Sequence, residues 1–181
     1  MLLGRLSQSL NGINKAIDFY NLQNYLRIFM NPLAKEQLIR EVSANINILN
    51  NNINQFGYSK NLLSLSPLIH SYIIVWNQEA ETNIHSHSKN GCFSYVLKGN
   101  LLEEIYKNNI YVKSRSMFSN NSLNKLAFID DNIGQHKIIN LDEDLTYSIN
   151  IYSPPPSVNL NDLEVDSKGL EFYNLLNNLQ N

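Results

Sequence analysis

The sequence lacks the features that indicate secretion or insertion into a membrane. Cys92 is the single cysteine in 181 residues, so no internal disulfide can form. No run of about 18 apolar residues, the length that a membrane-spanning helix requires, is present. Residues 2–5 lack the combination of a basic start and a long apolar run that marks a signal peptide. We therefore expect a cytoplasmic protein without membrane contact.

Excess charge of either sign is also missing. The formal net charge is −2 and the pI is about 6.1, so no electrostatic argument favours nucleic acid or an anionic membrane as a partner. The length fits one domain with a sizeable core. We predict a single domain over residues 1–181, with a helical part at 1–57, a β-barrel at 58–160 and a tail at 161–181.

Two amphipathic helices are predicted before residue 57, at residues 6–30 and 34–49. Apolar residues recur in both at spacings of three and four, which places them on one face. These residues are Leu10, Ile13, Ala16, Ile17 and Tyr20 in the first helix, and Leu38, Ile39, Val42, Ile46 and Leu49 in the second. Pro32 is expected to end the first helix. We interpret both faces as core packing rather than as a groove for a partner.

From residue 58 onward the pattern changes to short runs rich in aromatic and β-branched residues, which are typical of strands. The predicted strands are residues 68–76, 92–97, 101–106, 110–113, 126–130, 137–140 and 146–152. Asn108 and Asn109 suit a hairpin turn, and the prolines after Ser153 stop the last strand. A short helix is predicted at residues 170–179. The fold class is therefore mainly β, a jelly-roll barrel preceded by N-terminal α-helices.

The segment from Trp76 to Gly99 carries the strongest chemical signal. His85 and His87 are two residues apart, so on an extended segment both imidazoles point to one side and can bind one metal ion. His136 is the candidate third ligand. Three neutral imidazoles leave a divalent ion its full charge and open positions, which favours an anionic ligand such as a thiolate. These ligands alone do not distinguish iron(II) from zinc or nickel.

The order and spacing of these residues resemble the cysteine dioxygenase family, the thiol dioxygenases of the cupin superfamily. The first cupin motif is matched by His85-x-His87 and by Gly99, with Cys92 where a glutamate is usual. The second is matched by His136-x-x-x-Asn140. The resemblance covers residues 58–155. Its further matches are Trp76, Ile84, Phe93, Leu97, Leu101, Glu103, Ile129, Asp131, Ile133, Gly134, Tyr152, Ser153, Pro154 and Pro155.

The resemblance implies a monomer that holds iron(II) and converts cysteine and dioxygen to cysteine sulfinate. The implied metal ligands are His85, His87 and His136. Cys92 and Tyr152 match the pair that forms a thioether cross-link beside the metal in animal-type members. Tyr58 and Trp76 would line or support the pocket. From the residues alone, Cys92 is equally compatible with a small buried hydrophobe and Trp76 with an ordinary core aromatic.

Two residues depart from the family pattern: one at the position that binds the substrate carboxylate and one beside Tyr152. Lys60 stands where cysteine-selective members carry an arginine, and a flexible point charge selects a carboxylate less strictly than a planar fork. Asn150 replaces the histidine between Ser148 and Tyr152 in a relay that orients the tyrosine hydroxyl. Since Asn cannot take up a proton near neutral pH, we expect slower turnover or cross-linking.

These departures keep two alternatives open. The protein would then be a dioxygenase for another small thiol, such as 3-mercaptopropionate, or a weakly catalytic metal-binding cupin that binds or senses thiols. Intact histidines argue against an inactive site, because a barrel can be packed without them. His70 lies outside the motifs and is interpreted as structural.

Overall fold

The structure, a computed structural model, describes residues 1–12, 22, 31–66, 69–87, 91–119 and 126–153. Within these ranges, the helices that have at least four described residues are α1 (Leu2–Asn11), α2 (Pro32–Ala44) and α3 (Ile46–Leu49). The strands are β1 (Tyr58–Leu65), β2 (His70–Trp76), β3 (Cys92–Lys98), β4 (Asn100–Lys107), β5 (Ile110–Phe118), β6 (Ala127–Ile129), β7 (Gln135–Asn140) and β8 (Thr146–Tyr152). The predicted helix at 170–179 lies outside the described residues, as does nearly all of the first predicted helix beyond residue 12.

The helix boundaries differ from the predicted ones for local reasons. Pro32, expected to end the first predicted helix, lies in the first turn of α2, where its missing N–H costs nothing. The predicted end of the preceding helix lies outside the described residues. Asn31 caps this helix by accepting a hydrogen bond from the Ala34 N–H at 3.0 Å. The second predicted helix is divided at Asn45, whose side chain donates to the Glu41 carbonyl at 2.8 Å. No helix in the described part of the chain has the length and apolar character needed to cross a membrane.

The strands form two antiparallel sheets that face each other. The larger has five strands in the order β1-β2-β8-β3-β6, and the smaller has three in the order β5-β4-β7. One buried cluster contains Leu62, Ile74 and Val96 from the larger sheet together with Leu101, Met117 and Ile138 from the smaller. The predicted mainly β fold with N-terminal helices is confirmed. In the described ranges, the strands pair as two sheets rather than as one closed ring.

The larger sheet separates two different interiors. On β8, Tyr147, Ile149 and Ile151 pack with the helices, in a cluster that includes Leu6 and Leu38. The alternate residues of β8 face the space between the sheets, because successive side chains of a strand point to opposite sides. The same alternation holds for β2 and β3. Since both faces are covered, all seven residues of β2 are buried.

The hairpin between β4 and β5 confirms the predicted turn. Asn108 and Asn109 have φ angles of 50° and 62°, the left-handed conformation that a two-residue hairpin turn requires at both positions. Asn tolerates this conformation better than most residues. β5 continues to Phe118 and is longer than predicted.

β1 was not predicted as a strand, because its buried positions include polar residues. Ser59 and Asn61 are both buried and donate to the carbonyl of Leu49, at 2.5 Å and 2.9 Å. Ser64 is hydrogen-bonded to Ser71 on β2. These bonds satisfy the polar groups inside the protein, but in the sequence they hide the apolar pattern on which a strand prediction depends.

Two residues of the matched motifs, Gly99 and Asn140, hold connections between strands in place. Gly99 connects β3 to β4 with a φ of 87°, and a Cβ there would overlap the side chains of Thr146 and Asp142. Asn140 donates to the Asn77 carbonyl at 2.7 Å and accepts from the Thr146 hydroxyl at 2.8 Å. Both residues therefore fix the connections at one end of the sheets rather than contribute ligands.

Candidate metal centre and adjoining cavity

Three histidines converge at the predicted metal site. One ligand nitrogen from each of His85, His87 and His136 lies within 4.8 Å of the others. Nε2 of His136 is 2.6 Å from Nε2 of His87 and 3.1 Å from Nε2 of His85. The structure thus brings together the three residues that the sequence singled out. Three imidazole nitrogens directed at one point fit a divalent transition-metal ion.

Backbone contacts fix the position of each ligand. His136 lies on β7, and His85 pairs with it through two backbone hydrogen bonds of 2.9 Å. The N–H of His87 donates to Oδ1 of Asp131 at 3.2 Å. The short extended segment that carries His85 and His87 is therefore attached to β7 at His85 and to the turn between β6 and β7 at His87.

Hydrogen bonds at Nδ1 leave Nε2 of two ligands available. Nδ1 of His136 donates to Oε1 of Glu103 at 2.7 Å, and Nδ1 of His85 donates to the Asn83 carbonyl at 2.9 Å. Such a partner fixes the tautomer and the orientation of a metal-binding imidazole. Glu103 was noted in the sequence only as a match to the family. The signal that could have found it is an acidic residue between Leu101 and Ile105 on the inward face of β4.

The electrostatics of the site favour neutral ligands beside a carboxylate. Burial, reinforced by the neighbouring His136, lowers the pKa of His85 to about 4 and that of His87 to about 2. Burial alone would raise the pKa of Glu103, but hydrogen bonds from His136 and Arg115 outweigh it and hold the pKa below its ordinary value. At neutral pH, His85 and His87 therefore need to release no proton to bind a metal.

A cavity of about 350 Å³ opens beside the histidines. Its walls include Tyr58, Lys60 and Trp76, predicted as substrate-binding residues, and Asn150 and Tyr152, predicted as catalytic residues. Among the described residues that line it, Lys60 is the one Lys or Arg, and none is Asp or Glu. The cavity is of a size that suits a small ligand, and its fixed side-chain charge favours an anion.

Lys60 lies inside this cavity rather than on an open surface. Its ammonium is 4.3 Å from the ring centre of Tyr72 and 4.9 Å from that of Tyr152. Its positive charge also contributes to the lowered pKa of His85 and of His87. Lys60 and the three histidines therefore line the same cavity.

Cys92 and Tyr152 lie directly opposite each other on β3 and β8. Burial raises the pKa of the Cys92 thiol to about 12. Burial and the adjoining Cys92, which is hydrogen-bonded to Tyr152, raise the pKa of the phenol well above its ordinary value. The two side chains that the family resemblance pairs are thus in contact, and both stay protonated at neutral pH.

A row of hydrogen bonds leads from Trp76 toward Cys92. The Trp76 indole N–H donates to the Ser148 hydroxyl at 3.0 Å, which donates to Oδ1 of Asn150 at 2.8 Å. The Asn150 amide donates to the Ser94 hydroxyl at 2.8 Å, and that oxygen is 3.8 Å from the Cys92 sulfur. Ser94 was not singled out in the sequence. Its position two residues after Cys92 on the same strand face was the available signal.

His70 was interpreted as structural, but it lines the cavity. It is 6% exposed and lies opposite Tyr152 in the pairing of β2 with β8. It shares the inward face of β2 with Tyr72, Ile74 and Trp76, all of which also line the cavity. The sequence analysis did not connect His70 with the cavity because the family motifs do not include this position.

Comparisons with known proteins agree with this geometry. The sequence model described as cysteine dioxygenase type I matches residues 21–161. Cysteine dioxygenase type 1 of Bos taurus is 26% identical over 151 residues, which cover 74% of this chain and 74% of the bovine protein. The Homo sapiens protein of the same name is 31% identical over 108 residues, covering 56% of this chain and 53% of its own length. The matched part thus spans about half of the human protein.

Solved structures that are similar to this chain include KdgF from Halomonas sp., with a TM-score of 0.45 and 16% identity over 56% of this chain and 82% of KdgF. A crystal structure from Bacillus halodurans has a TM-score of 0.49 and 14% identity over 61% of this chain and 77% of that chain. The family match covers well over half of the sequence. The chain belongs to the cysteine dioxygenase type I family of the cupin superfamily.

Proposed function

We propose that this protein is an iron(II)-dependent thiol dioxygenase that oxidises L-cysteine with dioxygen to cysteine sulfinate. The observation that carries the proposal is the convergence of His85, His87 and His136 beside a cavity that also holds Lys60 and Tyr152. In the reaction the thiol sulfur gains both oxygen atoms, so that the sulfur is oxidised and dioxygen is reduced without a further reductant.

The donor set fits the metal that the family resemblance implies. Three imidazole nitrogens, with Nδ1 of two of them occupied by hydrogen bonds, would hold the ion through Nε2. Bound iron(II) would supply open coordination positions for a thiolate and for dioxygen, together with the redox activity that zinc lacks.

The chain's own residues would bind and orient the substrate. Lys60 would attract the substrate carboxylate, and Tyr58 and Trp76 would form part of the wall. Because the phenol of Tyr152 stays protonated, it can donate a hydrogen bond beside the histidines, and its ring centre is 5.5 Å from that of His87. Ser148 and Asn150 would hold the Ser94 hydroxyl beside the Cys92 sulfur and so support the Cys92–Tyr152 pair from the side of Cys92.

A second candidate substrate is a mercapto acid without an amine, such as 3-mercaptopropionate. The observation that favours it is that no Asp or Glu lines the described part of the cavity, so the ammonium group of cysteine has no carboxylate to meet there. Cysteine would have to bind with a neutral amine directed at the metal. 3-Mercaptopropionate avoids this requirement, and Lys60 serves its carboxylate equally well.

The test is oxygen uptake by iron(II)-loaded protein with cysteine, cysteamine and 3-mercaptopropionate, with the product identified by mass spectrometry. We expect a sulfinate from a substrate that carries a carboxylate, and loss of uptake in His136→Ala. Uptake with 3-mercaptopropionate alone would make it the substrate in place of cysteine. Bound iron with no uptake from any thiol would contradict catalysis and leave a thiol binder or sensor. The implied monomeric state and cytoplasmic location remain predictions.

A further inference from the structure

We infer that His70 is a second hydrogen-bond donor for the substrate carboxylate, acting together with Lys60, and that this pair makes the site selective for mercapto acids. The inference rests on the proposed thiol chemistry and specifies the substrate class. It assigns to His70 a specificity-determining position that the family motifs do not contain.

The first argument is the common location of His70 and the Lys60 ammonium. The backbone of Lys60 pairs with Ile74, yet its ammonium lies over the ring of Tyr72, which is one inward position nearer to His70 along β2. The same ammonium lies over Tyr152, the residue opposite His70 on β8. The two tyrosine rings are 5.7 Å apart and nearly perpendicular. His70 and the ammonium therefore adjoin the same pair of rings.

The second argument is the hydrogen bonding of the His70 ring. Its Nδ1 is fully buried and has no hydrogen-bond partner among the described residues. A buried N–H without an acceptor is costlier than a buried acceptor without a donor, so the proton belongs on Nε2. Burial and the charge of Lys60 both lower the pKa of the ring, which keeps it neutral. The ring that lines the cavity thus has one N–H to donate, at Nε2.

The third argument is the charge of the cavity. Among its described lining residues, Lys60 contributes one positive charge and no residue contributes a negative one. A divalent ion on three neutral histidines adds two further positive charges. A ligand with both a thiolate and a carboxylate neutralises much of this charge, whereas an aminothiol without a carboxylate does not. Lys60 is a point charge with rotatable donors, so a second donor at a fixed position is what would orient the carboxylate.

The experiment measures thiol binding, separately from catalysis, on protein loaded with cobalt(II). Thiolate-to-cobalt absorption gives the Kd of 3-mercaptopropionate, which has a carboxylate, and of cysteamine, which lacks one. His70→Phe keeps a ring and removes both nitrogens. His70→Gln places an amide N–H near the position of Nε2, whereas His70→Asn places it near that of Nδ1. Ser71→Ala, on the other face of β2, is the matched control.

We expect His70→Phe to raise the Kd of 3-mercaptopropionate by about tenfold or more, the usual effect of losing a hydrogen bond to a charged group. The Kd of cysteamine should change by less than about twofold. His70→Gln should retain most of the affinity, and His70→Asn should behave like His70→Phe. Cobalt content should be the same in all variants and in Ser71→Ala.

Equal weakening of both thiols, or no weakening of either, would overturn the inference, since packing alone would produce the first result. Failure of His70→Gln to retain affinity would also overturn it. A wild-type protein that binds 3-mercaptopropionate selectively but takes up no oxygen with iron would refute the proposed dioxygenase and support this inference. A wild-type protein that binds cobalt but neither thiol would overturn both.

Discussion

Nδ1 of His136 donates to Glu103, and the same buried carboxylate is paired with Arg115. The three residues lie on β7, β4 and β5, so this row of hydrogen bonds crosses the whole smaller sheet. Glu103 is 1% exposed and its two oxygens are divided between the two partners. The orientation of one proposed metal ligand is therefore set by a side chain outside the three-histidine cluster.

Glu103→Gln should weaken metal binding by roughly 10–100-fold, the usual cost of losing the partner of a metal-binding histidine. The amide would remove the negative charge that favours the N–H on Nδ1 of His136. Metal titration of purified protein measures the effect. Glu104→Gln, at the neighbouring position on the opposite face of β4, is the control and should leave metal affinity unchanged. Equal affinity in both variants would remove the assigned role.

Glu103→Gln should also lower the stability of the folded protein, by an amount that depends on pH. The folded-state pKa of Glu103 is below its ordinary value of 4.5. The stabilisation that the ionised carboxylate gives the folded protein is therefore present above pH 4.5 and is lost as the pH falls through the folded-state pKa. In metal-free protein, Glu103→Gln should lower the free energy of unfolding at pH 7 by roughly 1–3 kcal/mol. Urea unfolding at pH 7, 5 and 4 should show this difference narrowing below about pH 4.5. A constant difference would contradict the assignment.

Cross-linking of Cys92 to Tyr152 should require both metal and dioxygen. The thiol and the phenol are both protonated at neutral pH, so neither is an activated nucleophile. Forming the S–C bond removes one hydrogen from sulfur and one from the ring, with the two electrons passing to dioxygen. Intact mass spectrometry after incubation with iron(II), thiol and air should show the loss of two hydrogen atoms. Tyr152→Phe should show none, and a cross-link in metal-free protein would refute this requirement.

Lys60→Arg should lower the KM for cysteine by roughly threefold to tenfold, because a guanidinium can form two charge-assisted hydrogen bonds with one carboxylate. The affinity for cysteamine should not improve. Lys137→Arg is the control, since Lys137 pairs with Glu81 at 2.6 Å and does not line the cavity. An unchanged KM for cysteine in Lys60→Arg would count against Lys60 as the carboxylate partner.

Asn150→His should raise turnover by a few fold, because a histidine between Ser148 and Tyr152 can exchange a proton that an amide cannot. The rate of cross-link formation should rise with it. Steady-state oxygen uptake and the time course of the mass change measure the two effects. Ser148→Ala in the same background should cancel part of the gain, since Ser148 donates to this position. A lower or unchanged rate would contradict the prediction that the Asn150 position limits turnover.

Strands were predictable from the sequence where the buried residues are mostly apolar. β8 was predicted at its observed bounds because β-branched and aromatic residues fill residues 146–152. β1 was missed because Ser59, Asn61 and Ser64 are buried polar residues whose partners come from other elements. Such partners are set by tertiary structure and leave no periodic trace in the sequence.

The cluster of three histidines was predictable because their spacing is itself the signal, in His85-x-His87 and in the later His136. Glu103, Ser94 and His70 were not recognised as site residues. Each lies on a different strand, at an inward position that becomes part of the site only when the two sheets face each other. Their identification requires the strand register, which depends on long-range pairing.

That register has a consequence for the folding of active protein. If β8 slipped by one residue, Tyr147, Ile149 and Ile151 would turn toward the cavity and Ser148, Asn150 and Tyr152 would turn toward the helices. Such a molecule would lose the hydroxyl, the amide and the phenol at once, and it would also bury them in an apolar layer. A one-residue slip of the whole strand moves all three residues together, because side chains along a strand alternate with a period of two. A one-residue slip of β8 would therefore abolish activity instead of lowering it, and molecules misfolded in this way would add nothing to the activity regained on refolding.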